Sequence, residues 1–265
     1  MPKYRFGKHP RRSDYRTLRF KNYLTPAVPK PPASDDVLAR VYKQLHDAKP
    51  QELFPMDGND TLGDCTIAAA AHAITAFCGL IGTKQIMAGK DVIKTYKHLT
   101  GGPDTGLNEL DVLRFWRKSG IGNQSILAFA SLDTKSHAHV KTAIHMFGGV
   151  YLGFQVQEGA IERFDAREPW IPAPLTNDGH AVYAVGYDHE GLTVLTWGNT
   201  QRATWGWWDE CVDEAYVLLP PQAKNPKFAP GFNIAQLTSD LAAIGNVAPA
   251  AGALSMMPKE EPAKV

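Results

Sequence analysis

The apolar positions of this chain change period near its middle. Residues 35–48 place Val37, Leu38, Val41, Tyr42 and Leu45 on one side of a helix, which Pro50 should stop. An alanine-rich helical run follows from Cys65 to about Cys78 and closes at Gly79. A third helix is predicted at about 89–99, with Val92, Ile93, Tyr96 and Leu99 on one face and Gly101-Gly102-Pro103 as its stop. A fourth spans about 108–118, capped by Asn108, with Leu110, Val112, Leu113 and Trp116 apolar. From about residue 123 strands dominate. Residues 124–131, Gly149–Val156, His180–Tyr187, Leu192–Trp197 and Glu214–Leu219 are rich in β-branched and aromatic residues. The run Asp188-His189-Glu190-Gly191 turns one strand into the next. A helix is predicted over His137–Met146, and a turn or two over Glu158–Phe164.

The pattern reads as an α+β domain over 35–220, with a helical half at 35–122 and a β half at 123–220. Residues 1–34 form an extended arm, proline-rich toward its end, without helix or sheet of its own. Residues 221–265 form an Ala/Pro-rich tail. Ile234, Leu237, Leu241 and Ile244 give it a short docked helix after Asn233, and disorder is expected beyond about 246. There are no internal repeats.

Composition narrows the class. With 44% hydrophobic and 21% charged residues, the 265-residue chain has the make-up of an ordinary globular protein. The net charge of +1 points to no polyanionic partner for the whole chain. Residues 1–30, however, carry nine Lys/Arg against one acid, Asp14. Such an arm could bind an acidic surface or nucleic acid. Tyr4, Phe6, Tyr15, Leu18, Phe20 and Tyr23 interleave with the charges, which favours an arm folded over the domain. No apolar stretch reaches the roughly 18 residues needed to cross a bilayer. The N-terminus lacks the apolar run of a signal peptide, so a cytoplasmic location is expected, with a virion as the alternative. Cys65, Cys78 and Cys211 do not form a secreted disulfide framework, although a Cys78–Cys211 bridge stays open.

The candidate chemistry centres on the polar run Gly58–Asp64 leading into Cys65. Asp64 is a suitable N-cap, which places the Cys65 sulfur at the positive end of a helix, where a thiolate is favoured. The alternative is a small residue buried at a helix start. A base elsewhere decides between them, and His180 and Asn199 follow in order, with 115 residues from Cys65 to His180. His137 and His139 lack a third ligand for zinc, and Asp57, Asp60 and Asp64 lack calcium-loop spacing, so no metal or cofactor is implied. Trp197, Trp205, Trp207 and Trp208 read as packing of the β half.

This arrangement resembles the papain-like cysteine peptidases. Asn59 stands six residues before Cys65, where that family has its oxyanion-hole glutamine. Gly179-His180-Ala181-Val182 with Val185-Gly186-Tyr187 matches its histidine strand. Asn199 takes the place of the third triad member, and Trp205-Gly206 the family's following Trp-Gly. Val140–Val156 is similar to the helix and strand before the histidine. The resemblance implies two halves with an active-site cleft between them, and a thiol hydrolase cutting peptide or isopeptide bonds. Cys65 would be the nucleophile, His180 the acid–base, Asn199 its orienter, and Asn59 with the Cys65 N–H the oxyanion donors. It looks like a bacterial or phage-type relative, with no obvious inhibitory propeptide among the 64 residues before Cys65. Asp64 departs from the family's usual small neutral residue and should raise the thiol pKa. The rival reading is a structural or assembly protein, for instance of a virion, whose arm (1–34) and tail (221–265) hold a partner while the site is silent.

Overall fold

The computed structural model describes residues 4–46, 50–221 and 229–245. The end of the expected 35–48 helix and the tail beyond 245 lie outside these. The helical half comprises α1 (Val37–Leu45), α2 (Pro50–Leu53), α3 (Cys65–Leu80), α4 (Gly89–Thr100) and α5 (Glu109–Ser119). Strand β1 (Asp35–Asp36) precedes α1, and Asp36 caps α1 by accepting the Ala39 N–H. Pro50 opens α2 instead of closing α1, since a proline at a first helical position loses no internal hydrogen bond.

The second half runs β2 (Ala128–Ser131), α6 (His137–Phe147), β3 (Val150–Gln157), α7 (Ala160–Ala166), β4 (Leu175–Tyr187), β5 (Gly191–Thr196), β6 (Asn199–Thr204), α8 (Trp205–Cys211) and β7 (Val212–Leu219). Two of these, β6 and α8, were not expected from the sequence. Strand β6 is a polar run held by pairing with β5 along its whole length. Helix α8 is capped by Thr204, which accepts the Trp207 N–H, and its apolar content is almost all tryptophan. The sheet is antiparallel throughout, in the order β2-β7-β3-β4-β5-β6, with β1 pairing β4 at its end. At its centre Gly153 of β3 pairs with Ala181 of β4 on one side and Glu214 of β7 on the other.

Helix α3 is buried nearly all round, and its alanines (68–71, 73 and 76) let it lie close against β4. A helix without a polar face is stable only inside a core. The Tyr151 hydroxyl donates to the Thr66 carbonyl at 2.9 Å, which pins the first turn of α3 to the sheet.

The arm docks on the domain. Tyr4, Lys8, Leu18, Phe20 and Tyr23 are buried, and residues Phe20–Tyr23 form a 3₁₀ turn. The tail helix α9 (Ile234–Gly245) forms as expected and closes over that turn. Phe20 stacks on Phe232 with ring centroids 5.7 Å apart, and the Tyr23 hydroxyl donates to Asp240 at 2.8 Å. No helix among the described residues is long and apolar enough to cross a membrane.

Candidate active site

Cys65 is the first residue of α3, and it is only 1% exposed. Burial pushes its thiol up to about 12; the nearby Asp64 charge adds to this, while the backbones of Ala181 and Gly7 lie within reach of the sulfur and work the other way. Asp64 does not serve as the expected side-chain cap. Its carboxylate is fully buried and does not cap the helix, because the residue adopts φ −95°, ψ 15° instead of an extended cap conformation. Burial raises this carboxyl to about 8; the Asn59 amide opposes the shift and Asp57 adds to it. A neutral Asp64 next to the cysteine spares the site a second anion.

His180 lies on β4, one residue before Ala181, and is wholly buried. Its Nε2 pairs with the Thr196 hydroxyl at 2.7 Å, and its Nδ1 has no hydrogen-bond partner among the described residues. The ring is boxed by aromatics. Trp197 stacks on it at 4.6 Å, while Phe6 and Phe154 stand edge-on at 5.5 and 5.6 Å. Burial lowers the imidazole to about 3, so the buried ring is neutral.

Asn199 is not beside His180. It is exposed at the start of β6, and its Oδ1 accepts the N–H of Thr200 at 2.9 Å. The residue on the imidazole is Thr196, at the end of β5. Between the two lies a two-residue hairpin turn, Trp197-Gly198, with φ of 48° and 73°. Such turns favour glycine and asparagine, and tryptophan rarely takes the left-handed conformation. Here it holds the indole over the imidazole. Trp197 is the aromatic that stacks on this ring. The signal for both residues was the Thr196-Trp197-Gly198 run directly after the strand, an alternative match to a family Trp-Gly eight residues before Trp205-Gly206.

Asn59 is buried in the loop before α3, and its side-chain amide donates to the carbonyls of Leu62 at 3.0 Å and Arg5 at 3.2 Å. The second of these belongs to the arm. Residues Arg5 to His9 run extended across the site, held through the main chain. The Arg5 N–H donates to the Asn59 carbonyl at 2.9 Å. The N–H groups of Gly7 and Lys8 both donate to the Gly179 carbonyl, at 3.2 and 3.0 Å. The Gly7 carbonyl accepts the Leu107 N–H at 2.8 Å, and the His9 N–H donates back to the Leu107 carbonyl at 2.9 Å. Phe6 meets the imidazole, and Tyr4 stacks on Trp197 at 4.6 Å. The approach is close enough to need glycine at Gly7, where a Cβ would sit 2.6 Å from the Gly63 Cα and nearer still to its carbonyl. The arm thus lies over the cysteine, the histidine and the expected oxyanion donor.

The remaining candidates are structural. His137 pairs with Asp209 at 2.8 Å and stacks on Trp205, and no metal-binding group of His, Cys, Asp or Glu occurs among the described residues. Trp207 and Trp208 are buried and donate to Gln157 and to the Thr134 carbonyl. Cys65, Cys78 and Cys211 are free thiols.

No family model and no curated protein sequence matches this chain. Solved structures do. Xylellain, a cysteine protease from Xylella fastidiosa, superposes with a TM-score of 0.62 at 17% identity, covering 82% of this chain and 97% of that one. Procathepsin B S9 from Trypanosoma congolense gives 0.56 at 13% identity, covering 81% and 86%. The cysteine protease and lectin-like domains of the surface-layer-associated protein Cwp84 from Clostridium difficile give 0.53 at 13%, covering 82% and 56%. Helices before an antiparallel sheet, with a cysteine heading the buried helix and a histidine on the strand it packs against, make this chain's fold the papain-like cysteine protease fold.

Proposed function

We propose that the chain is a thiol hydrolase of peptide or isopeptide bonds, held latent by its own N-terminal arm. The observation that carries this is the arm's seating. An extended backbone lies against Cys65 and His180, and the Asn59 amide holds one of its carbonyls. Those contacts are of the kind an extended peptide makes through its main chain.

With the arm displaced, water reaches the pair, and a Cys65 thiolate with a His180 imidazolium becomes the favoured state. The thiolate sulfur attacks the carbonyl carbon. The oxyanion that forms is held by the Cys65 N–H and the Asn59 amide proton now spent on Arg5. His180 gives its proton to the leaving amine as the C–N bond breaks, leaving a thioester on Cys65. The imidazole then takes a proton from water, which attacks the thioester and releases the acid and the cysteine. Thr196 orients the ring through Nε2 and is favoured over Asn199 for that task, since Asn199 faces solvent and pairs with its own neighbour. Tyr4, Phe6, Phe20 and Tyr23 of the arm pack on the domain and on Phe232, which favours this reading over one in which the arm holds a partner.

Turnover of a mixed peptide library by the full-length Gly7→Val chain tests the proposal. Cleavage that disappears in Gly7→Val with Cys65→Ala supports it. A folded Gly7→Val chain whose Cys65 reacts readily with iodoacetamide, yet which cleaves nothing, refutes it.

A further inference from the structure

Next to the site, the Lys8 side chain enters a cage of three carboxylates. Its ammonium lies 2.9 Å from Asp213 and 3.1 Å from Glu214, and it also donates to the His9 carbonyl at 3.2 Å. Glu109, the first residue of α5, is the third acid. It is fully buried, and neither of its oxygens has a hydrogen-bond partner among the described residues. The floor is Gly153, where a Cβ would collide with the Lys8 stem and come within 2.7 Å of Glu109 Oε1.

The local backbone explains how two consecutive acids reach one ammonium. Neighbours on a strand normally face opposite sides of the sheet. Here β7 bulges: Gly153 pairs with Glu214 but Phe154 pairs with Val212, so Asp213 is the extra residue and swings toward the same side. The Tyr216 hydroxyl, donating to Glu214 at 2.7 Å, fixes the second acid. Burial works to lower the Lys8 ammonium, but Glu109, Glu214 and Asp213 outweigh it, and the net shift is upward. Burial drives Glu109 well above the ordinary carboxyl range, with Glu214 adding and Lys8 opposing.

Two buried acids, Glu109 and Glu214, are costly to keep for the arm alone. Resting on the hydrolase reading above, we propose that the Glu109–Asp213–Glu214 cage is the pocket for a lysine or arginine side chain of the peptide substrate, occupied in the latent chain by Lys8. The main chain of the arm supplies contacts that depend on side chains only at Gly7, where there is no room for a Cβ. The Lys8 side chain is the one element of the seated segment that meets complementary charge within the core.

The test uses the full-length Gly7→Val chain and seven-residue peptides of alanine and glycine. Lysine, arginine, norleucine or glutamate is walked through the three positions before the central bond. At one position lysine and arginine peptides should be cleaved about tenfold to a hundredfold faster than norleucine ones, the range expected for a charged hydrogen bond. Glu214→Gln, and separately Glu109→Gln should the first fail to fold, should lower the ratio of the lysine rate to the norleucine rate. Equal cleavage of lysine and norleucine peptides at every position overturns the pocket and leaves the hydrolase standing. If nothing is cleaved, the hydrolase reading fails, and calorimetric binding of the same peptides decides the pocket. Lysine peptides at least about tenfold tighter than norleucine ones support it, and equal affinities overturn it.

Discussion

Gly7→Val should unlatch the arm without touching the catalytic residues. The new Cβ would lie 2.6 Å from the Gly63 Cα and closer to the Gly63 carbonyl, and backbone cannot yield as a flexible side chain can. Gly63 is itself fixed, its N–H donating to Asp104 at 2.9 Å. The arm must lift, forfeiting main-chain hydrogen bonds worth about 1 kcal/mol each. The consequence for Cys65 can be sized. A thiol at about 12 is ionised in about one molecule in a hundred thousand at pH 7, whereas a free thiol near 8.5 is ionised in about three in a hundred. Restoring even the free value raises the thiolate population about 3,000-fold, and greater access adds to that. The assay is iodoacetamide alkylation at pH 7, read residue by residue by peptide mass mapping. Buried Cys78 and Cys211 serve as internal controls for global unfolding. A gain of about a thousandfold or more at Cys65 alone is expected. A Gly7→Val chain with native circular dichroism and a Cys65 no more reactive than wild type would refute the idea that the arm covers the site.

Lys8→Met strips the cage of its cation, and a broken buried pair costs about 3–5 kcal/mol, so arm release becomes the cheaper outcome; Cys65 alkylation should rise at least about tenfold, with Lys8→Arg closer to wild type. Thr196→Val leaves a buried imidazole nitrogen unpaired and should lower stability by about 1–3 kcal/mol; in the Gly7→Val background it should cut kcat and alter the pH profile, while Asn199→Ala changes neither. Asp64 has a folded pKa of about 8, above its ordinary 3.8, so the native state holds its proton longer than the unfolded chain. Its carboxyl therefore weakens the fold as pH rises from about 4 to about 8, by at most about 1.4 kcal/mol per pH unit. Denaturant titrations at several pH values should give Asp64→Asn a stability advantage that grows over that window and is absent below it; a constant difference would contradict the assignment.

The sequence disclosed α3 and the strands because their apolar spacing is strong and uninterrupted. Asn108 is legible as the α5 cap, and its Oδ1 accepts the Leu110 N–H at 3.1 Å. Strand β6 and helix α8 were hidden for opposite reasons. The first, Asn199–Thr204, is polar and owes its form to pairing, while the second carries tryptophans that read as packing alone. Cys65 and His180 could be singled out by residue type and order. The Thr196–imidazole pair had its one signal in the Trp197-Gly198 that follows it, while the resemblance drew attention to Asn199. Least visible was the path of the arm. Phe6-Gly7-Lys8 has no local signal for where it lies, because its partners Gly179, Leu107, Asp213 and Glu214 are all about a hundred residues or more away in sequence.

The most direct test of a Cys65–His180 pair is the pH dependence of Cys65 alkylation from pH 4 to 10, compared between full-length Gly7→Val and the same chain with His180→Ala. The account predicts a reactive plateau reached well below the free-thiol value of about 8.5 in the first, and its loss in the second. An ordinary thiol titration, identical in both, would contradict it.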